Sequence, residues 1–430
     1  MGQLEKLELI KVTEKTESME KMLFDDNQMV VDKLLERFNI KVPLQDPTKI
    51  VITYKDEKTS KYNPTFDSLW LYLWTNKINV SKDTLRTILR APEYMPPYNP
   101  IKDYFESIRG KWSGESHIDL FCKYLTPRAF DDNTPEHYRQ RTNKLIRKWL
   151  VASVAMWMGD HPNDVALGFI HAQEGIGKTR LIKFLTPKPL EEFYIESSKD
   201  DTRFNIEDAF SRYMFVNFEE LNGINKRSID TWKACMSADK VLAKYKHEEF
   251  ATAKPRIAAA LFSSNRTEEL GGFLHQSFGY RRFGVIEIEA IDFEYSNVVD
   301  IDQLWTEALM LYESSKFNFI FTKDVDFPEF REYNRRYNEV TPAMRFIQRF
   351  IIKPTAEQII NKDESVVRLN ATAIYMKLQH KIRADEQKHI TPNTIGTALK
   401  ALSFESKPFR PEDKDHPIYG YDIIFNEQQI

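Results

Sequence analysis

The chain has 430 residues, 42% of them hydrophobic and 29% charged, enough to fill the cores of about two to four domains. A net charge of −3 excludes a globally basic nucleic-acid binder, so any such surface must be local. Two cysteines, Cys122 and Cys235, exclude a disulfide framework, and no apolar run reaches the roughly 18 residues of a membrane span, so a cytoplasmic protein with no membrane partner is expected.

Residues 1 to 40 place Met29, Val30, Leu34, Leu35 and Phe38 at helical spacing among charges, which predicts an amphipathic arm. Lys49–Tyr54 reads as a strand. Phe66–Trp74 is an aromatic element with neither Gly nor Arg interleaved, which reads as core and not as a base-stacking platform. Asp83–Leu89 reads as a helix. The prolines of Ala91–Pro100 can continue neither helix nor central strand, and they place a boundary between a mixed α/β domain (1–96) and a helical, collar-like segment (97–160). Within that segment helices are predicted at Ile101–Ile108 and His117–Leu125, with a polar turn at Thr126–Pro135, and a long helix, Glu136–Trp157, closes it. The basic first half of the long helix (Arg139, Arg141, Lys144, Arg147, Lys148) reads as a solvated face in preference to a phosphate-contacting stripe.

The most informative stretch is VALGFIHAQEGIGKTRLIKFL, Val165–Leu185: an apolar strand, a small flexible loop, then an amphipathic helix. That order predicts a nucleoside triphosphate site. Gly175 and Gly177 free the backbone so that N–H groups along Gln173, Glu174, Gly175, Ile176, Gly177 and Arg180 can converge on phosphate oxygens. Lys178 would reach the β- and γ-phosphates of ATP, and the Thr179 hydroxyl would complete the shell of Mg2+. Ala172 stands where the usual pattern opens with Gly.

Further along, Phe193–Glu196 and Tyr213–Phe218 read as strands, with a helix at Asn205–Arg212 between them. The second strand ends in Glu219-Glu220, where Glu219 would orient the metal through its water shell and Glu220 would polarise the attacking water. Ile224–Met236 reads as a helix and Asp239–Arg256 as a hairpin. Another strand, Ile257–Phe262, leads to Asn265, which is either a γ-phosphate sensor or an ordinary turn residue. Arg281 and Arg282 precede a last strand, Val285–Glu289, and could serve as an arginine finger toward a neighbouring subunit.

The blocks NPIKDYFESI (Asn99–Ile108), RKWLVASVA (Arg147–Ala155), EGIGKT (Glu174–Thr179), FVNFEEL (Phe215–Leu221), SSN (Ser263–Asn265) and GYRRF (Gly279–Phe283) together resemble superfamily 3 helicase ATPases. They are most similar to the virulence-associated protein E family of phage and mobile elements. The resemblance covers roughly residues 97–315. It implies an α/β, AAA+-like P-loop ATPase core (161–325) with a parallel central sheet, a homo-hexameric ring, and ATP-driven movement along single-stranded DNA. It also implies a pore hairpin between Glu220 and Asn265, for which Lys244, Lys246 and His247 are the matching positions; the alternative there is a solvated hairpin tip.

From 326 to 430 the pattern runs through a basic aromatic helical region, Phe327–Phe350, then helix Thr355–Ile360 and strand Val366–Leu369. Helices Ala371–Arg383 and Thr391–Leu402 come next, then a β wing at Tyr419–Phe425. This order resembles a winged helix. Thr391, Asn393, Thr394, Thr397 and Lys400 would then be the exposed positions of a recognition helix that contacts either DNA or protein.

The expected function is a 3′-to-5′ DNA helicase acting in replication of a phage, plasmid or mobile element, with a primase or other replication protein as partner. The alternative is a regulatory ATPase that binds a protein partner, in phage defence or virulence-element control, without unwinding. A metabolic kinase fits less well, since kinases rarely need the set Asn265, Arg281 and Arg282.

Overall fold

The computed structural model describes residues 25–56, 62–197, 204–219, 226–245, 249–274, 279–383, 386–410 and 416–426. The chain divides into two compact units, one within Met1–Asn265 and Ser277–Tyr333, the other within Arg266–Gln276 and Asn334–Ile430. Among the described residues no helix is long and apolar enough to cross a membrane.

The first unit begins with helix α1 (25–37) and the antiparallel pair β1 (Phe38–Lys41) and β2 (Val51–Tyr54). Helices α2 (Phe66–Thr75) and α3 (Lys82–Arg90) complete a small core around Leu34, Phe38, Leu69, Leu73 and Leu85. Thr65 caps α2 through a capping box with Ser68, and Ser81 caps α3. The aromatic run is only half core: Leu69 and Leu73 are buried, whereas Trp74 is 63% exposed.

The main core comes next. Helices α4 (Pro100–Ile108) and α5 (His117–Lys123) lead to β3 (Leu125–Pro127) and the long α6 (Pro135–Met158), which ends at Gly159 in the left-handed region. Then come β4 (Ala166–Ile170), α7 (Lys178–Phe184), β5 (Tyr194–Ser197), α8 (Ile206–Arg212), β6 (Phe215–Glu219) and α9 (Lys226–Met236). The hairpin β7 (Lys240–Ala243) and β8 (Thr252–Pro255) precedes β9 (Ala259–Ser264) and β10 (Phe283–Ile291). Helices α10 (Tyr295–Val298), α11 (Ile301–Glu313) and α12 (Asp326–Asn334) complete it.

The central sheet is mixed α/β in character, six-stranded, in the order β3-β10-β4-β9-β6-β5. All its pairings are parallel except β3 with β10. Residues Thr126 and Pro127, expected in a polar turn, lie in the short strand β3; three residues are too few for a periodic signal. Strands β4, β9 and the start of β6 are buried throughout, as both faces of a parallel sheet require. After β4 the chain crosses to β5 at the far edge and steps back through β6 to β9. It then lands β10 on the other side of β4. The neighbours of β4 thus come from different stretches, and such a switch point opens a crevice at the carboxyl end of the strand.

Three indoles tie the helical layer to the chain around this strand. Trp149 Nε1 donates to Val165 O (2.9 Å), Trp157 Nε1 to Ile257 O (2.7 Å), and Trp305 Nε1 to Leu185 O (2.9 Å). Buried N–H groups of this kind need a partner, and here the partners are the lead-ins to β4 and β9 and the end of α7.

The basic half of α6 departs from the solvated face the sequence predicts. Lys148 is buried and pairs with Asp326 at 2.8 Å, and that carboxylate also accepts from the Thr322 backbone (2.7 Å). Arg147 bridges Glu307 and Asp119, each at 2.6 Å, while Glu307 accepts from Ile118 N at the start of α5. Arg141 donates to Val285 O (2.8 Å) and pairs with Glu329 (2.7 Å). These cations are internal ties among α5, α6, α11 and α12; Arg139 and Lys144 remain exposed.

The second unit contains α13 (Pro342–Phe350), β11 (Ile351–Ile352), α14 (Ala356–Ile360), β12 (Val366–Leu369), α15 (Ala371–Leu378), α16 (Pro392–Ala401), β13 (Ser406–Phe409) and β14 (Ile418–Phe425). Strands β11, β12 and β13 all pair antiparallel with β14. Asn393, Thr397 and Lys400 of α16 are exposed. Thr391 and Thr394 are not free recognition positions, because they form a capping box at its start.

Removing one partner of the buried Lys148–Asp326 pair strands the other charge, so Asp326→Ala should destabilise the first unit by about 3–5 kcal/mol in denaturant unfolding. A loss below about 1 kcal/mol would show that the pair does not hold α12 to α6.

Candidate functional site

The site forms at the carboxyl end of β4. The loop 171–177 leaves the strand there, and Gly177, at φ 94°, caps α7 without a side-chain bond. Gly175 is also left-handed at φ 78°, with nothing within 4 Å of an added Cβ. At Gly177 a Cβ would stand 2.6 Å from the Phe293 ring, so this position excludes a side chain on both counts. The loop opens on a turn held by His171, whose Nδ1 accepts the Gln173 N–H at 2.9 Å. Ala172, where the usual pattern opens with Gly, does not take a positive φ, so no glycine is required there.

Lys178, the first residue of α7, is 7% exposed. Its Nζ donates to Asn265 Oδ1 (2.6 Å), Gln173 O (3.1 Å) and His171 O (3.3 Å). All three are neutral oxygens, and among the described residues no carboxylate oxygen pairs with this ammonium. Burial lowers its pKa from the usual lysine value, partly offset by the nearby charge of Glu174. Thr179 Oγ1 donates to Glu219 Oε1 at 3.3 Å, and Asn265 Nδ2 donates to Glu174 Oε1 at 3.3 Å.

The sheet order explains this convergence. Glu219 pairs in register with Ser263, and Phe169 with the same Ser263, so the ends of β6, β9 and β4 lie side by side. Residues distant in sequence (Lys178, Thr179, Glu174, Glu219, Asn265) thereby share one crevice. Glu220 lies outside the described residues.

A polyphosphate with its divalent cation fits this donor set. A buried ammonium that bonds only neutral oxygens among the described residues, a loop with glycine at 175 and 177, and a hydroxyl beside a carboxylate are the groups such a ligand needs. Among the described residues no cluster of three or more His, Cys, Asp or Glu is poised as a self-sufficient metal cage.

Arg281 and Arg282 are not brought to this crevice within one chain. They precede Phe283, which pairs with Ala166 at the start of β4, whereas the loop leaves after Ile170. The separation along the strand is about 13 Å at the usual rise per residue. Arg282 is half-buried and donates to Ser237 Oγ (3.3 Å); burial and then the charge of Arg281 pull its pKa below the ordinary arginine value. Arg281 is exposed. Burial raises the pKa of the Asp164 carboxyl, although the charges of Arg256, Arg281 and Arg282 oppose that rise.

The hairpin β7–β8 is anchored by a residue that no sequence pattern singles out. The buried Tyr245 ring has the Arg212 guanidinium at 4.4 Å and the Lys254 ammonium at 4.4 Å, and its hydroxyl donates to Ser211 O (3.4 Å). Arg212 in turn pairs with Asp46 at 3.1 Å. Lys244 is exposed beside this anchor, as are Leu242 and Phe250; Lys246 and His247 lie outside the described residues.

The Virulence-associated protein E-like domain matches residues 106–339, more than half the chain. The chain belongs to that family. No curated protein matches it. Among solved structures, the apo structure of the NrS-1 C terminal region (305-718) is similar at 13% identity and TM-score 0.44, covering 93% of this chain and 99% of that one. The A form apo structure of the same region is similar at 13% identity and TM-score 0.45, with the same coverage.

Gly177→Ala should cost more stability than Gly175→Ala, because only the former adds a ring clash to the strain of positive φ, roughly 1–2 kcal/mol. Equal losses in denaturant unfolding would contradict the close approach of Phe293.

Proposed function

We propose that the protein is an AAA+-like P-loop ATPase that works as a DNA-translocating ring, with the 3′-to-5′ polarity the family resemblance implies, in replication of a phage or mobile element. The observation that carries this reading is the buried Lys178 ammonium, held by neutral oxygens at the mouth of a glycine loop, with Thr179, Glu219 and Asn265 around it. The family match supports the setting.

In this reading Lys178 exchanges one or more of its neutral partners for β- and γ-phosphate oxygens of ATP, which gives the ammonium anionic partners in a half-dry site. Thr179 and Glu219 would hold the metal side of the triphosphate. Bound Mg2+ would neutralise charge across the β- and γ-oxygens. Asn265 lies between Lys178 and Glu174, positioned to bond the terminal phosphate and the incoming water. Glu220, assigned from sequence, takes the proton of that water.

Arg281 is the residue we assign to the neighbouring subunit's phosphates, since it is exposed while Arg282 is turned inward to Ser237. A site completed only across a subunit boundary supports a closed ring, taken here as a homo-hexamer. Lys244, which is exposed beside the Tyr245 anchor, would with Lys246 and His247 track the backbone of single-stranded DNA. The order of helices and strands in the second unit supports a winged-helix likeness, for which contact with DNA or docking of a primase or another replication protein is the proposed role.

Lys178→Ala should weaken ATP binding by at least about tenfold, the cost of a lost charged hydrogen bond. Unchanged affinity in calorimetry would remove the loop assignment. Arg281→Ala should abolish turnover yet regain part of it when mixed with Glu219→Gln, whereas Arg282→Ala should lower stability first. Failure of the mixture to recover activity would place each site within one subunit. Hydrolysis indifferent to single-stranded DNA in the intact protein would favour a regulatory ATPase over a translocating one.

A further inference from the structure

The sheet order also fixes the direction in which a bound nucleotide must extend. Strand β4 has β9 and then β6 on one flank and β10 on the other. Glu219 and Asn265, the groups proposed to face the terminal phosphate, come from the β6 and β9 flank. On that reading the nucleoside leaves toward the β10 flank, where Phe293, in the turn after β10, lies against Gly177.

That ring has a rigid base. After β10 the chain turns on Asp292, whose Oδ1 accepts from Glu294 N (3.0 Å) and whose carbonyl accepts from Tyr295 N (3.3 Å). Tyr295 is fully buried, edge-on to Phe184 of α7 at 4.9 Å and to Phe121 at 6.1 Å, which pins the turn to the helix after the loop. Phe293 itself is 43% exposed, yet its edge lies against Gly177, where only the absence of a Cβ admits it. The exposed Arg180 holds its guanidinium 5.3 Å from the ring centroid.

An exposed phenylalanine alone means little. One that is based on a buried tyrosine, touches the loop at Gly177 on the flank opposite Glu219 and Asn265, and has the Arg180 guanidinium over its ring has the features of a stacking surface. Resting on the nucleotide reading above, we propose that Phe293 is the platform on which the base of the bound purine nucleotide stacks, with Arg180 supplying positive charge at the α-phosphate end. Aromatic stacking accepts any base face and is strongest for the larger purines, so Phe293 contributes to affinity for the nucleoside and nothing to affinity for the phosphates.

The test separates those two parts. Calorimetry on the full chain compares magnesium ATP with magnesium tripolyphosphate for the wild type, Phe293→Ala, Phe293→Trp and Lys178→Ala. Phe293→Ala should lose about tenfold in ATP affinity while tripolyphosphate binding stays unchanged, and Phe293→Trp should retain ATP binding. Lys178→Ala should lose both ligands. Equal loss of both ligands in Phe293→Ala would mean that the ring only buttresses the loop, and no loss of either would place the base elsewhere; both outcomes overturn the platform and leave the phosphate site standing. A wild type that binds neither compound ends the nucleotide reading and the platform with it.

Discussion

A buried positive charge that, among the described residues, bonds only neutral oxygens is the constraint on which the site depends. Lys178 is taken out of water by the fold and offered only amide and carbonyl oxygens, the Asn265 side chain closest at 2.6 Å. Desolvation disfavours its charged form, and Glu174 offsets that only in part. Desolvating an ammonium costs stability in the free protein, and on the proposed reading a bound anion would offset that cost for Lys178. Its three oxygen partners come from the loop and from the end of β9, so the placement of β9 beside β4 is what creates the site.

The rest of the first unit keeps that placement rigid. The indoles of Trp149, Trp157 and Trp305 fasten the chain ahead of β4, ahead of β9 and behind α7 to the helical layer. The buried ties from α6 to Asp326, Glu307 and Val285 hold that layer against the sheet. At the other end of the same strands, Arg281 and Arg282 are held near Asp164, away from their own chain's loop. The crevice at the carboxyl end of β4 and the arginine pair ahead of β10 therefore lie at opposite ends of neighbouring strands, a placement that fits the head-to-tail ring proposed above.

Much of this is legible in the sequence, and the omissions have physical causes. The loop is readable because glycine spacing and the adjoining Lys178-Thr179 encode backbone geometry locally. Glu219 and Asn265 are readable because apolar runs stop there, marking strand ends. The insertion of β9 between β4 and β6 is not, since buried parallel strands share one apolar pattern that carries no order. Helical periodicity cannot tell a solvated lysine from one paired with a carboxylate 178 residues away, as Lys148 is with Asp326. Phe293 is invisible for a similar reason: its meeting with Gly177 arises only because β10 returns beside β4. Thr391 and Thr394 have the composition of recognition positions, but the backbone claims them as caps.

The most direct measurement is a crystal structure of the full chain with magnesium and a non-hydrolysable ATP analogue. The account predicts Lys178 Nζ within about 3 Å of β- or γ-phosphate oxygens, with its neutral contacts loosened and Glu219 on the metal side. A nucleotide bound elsewhere, or bound here with the Lys178 ammonium still turned to Asn265, Gln173 and His171, would contradict it.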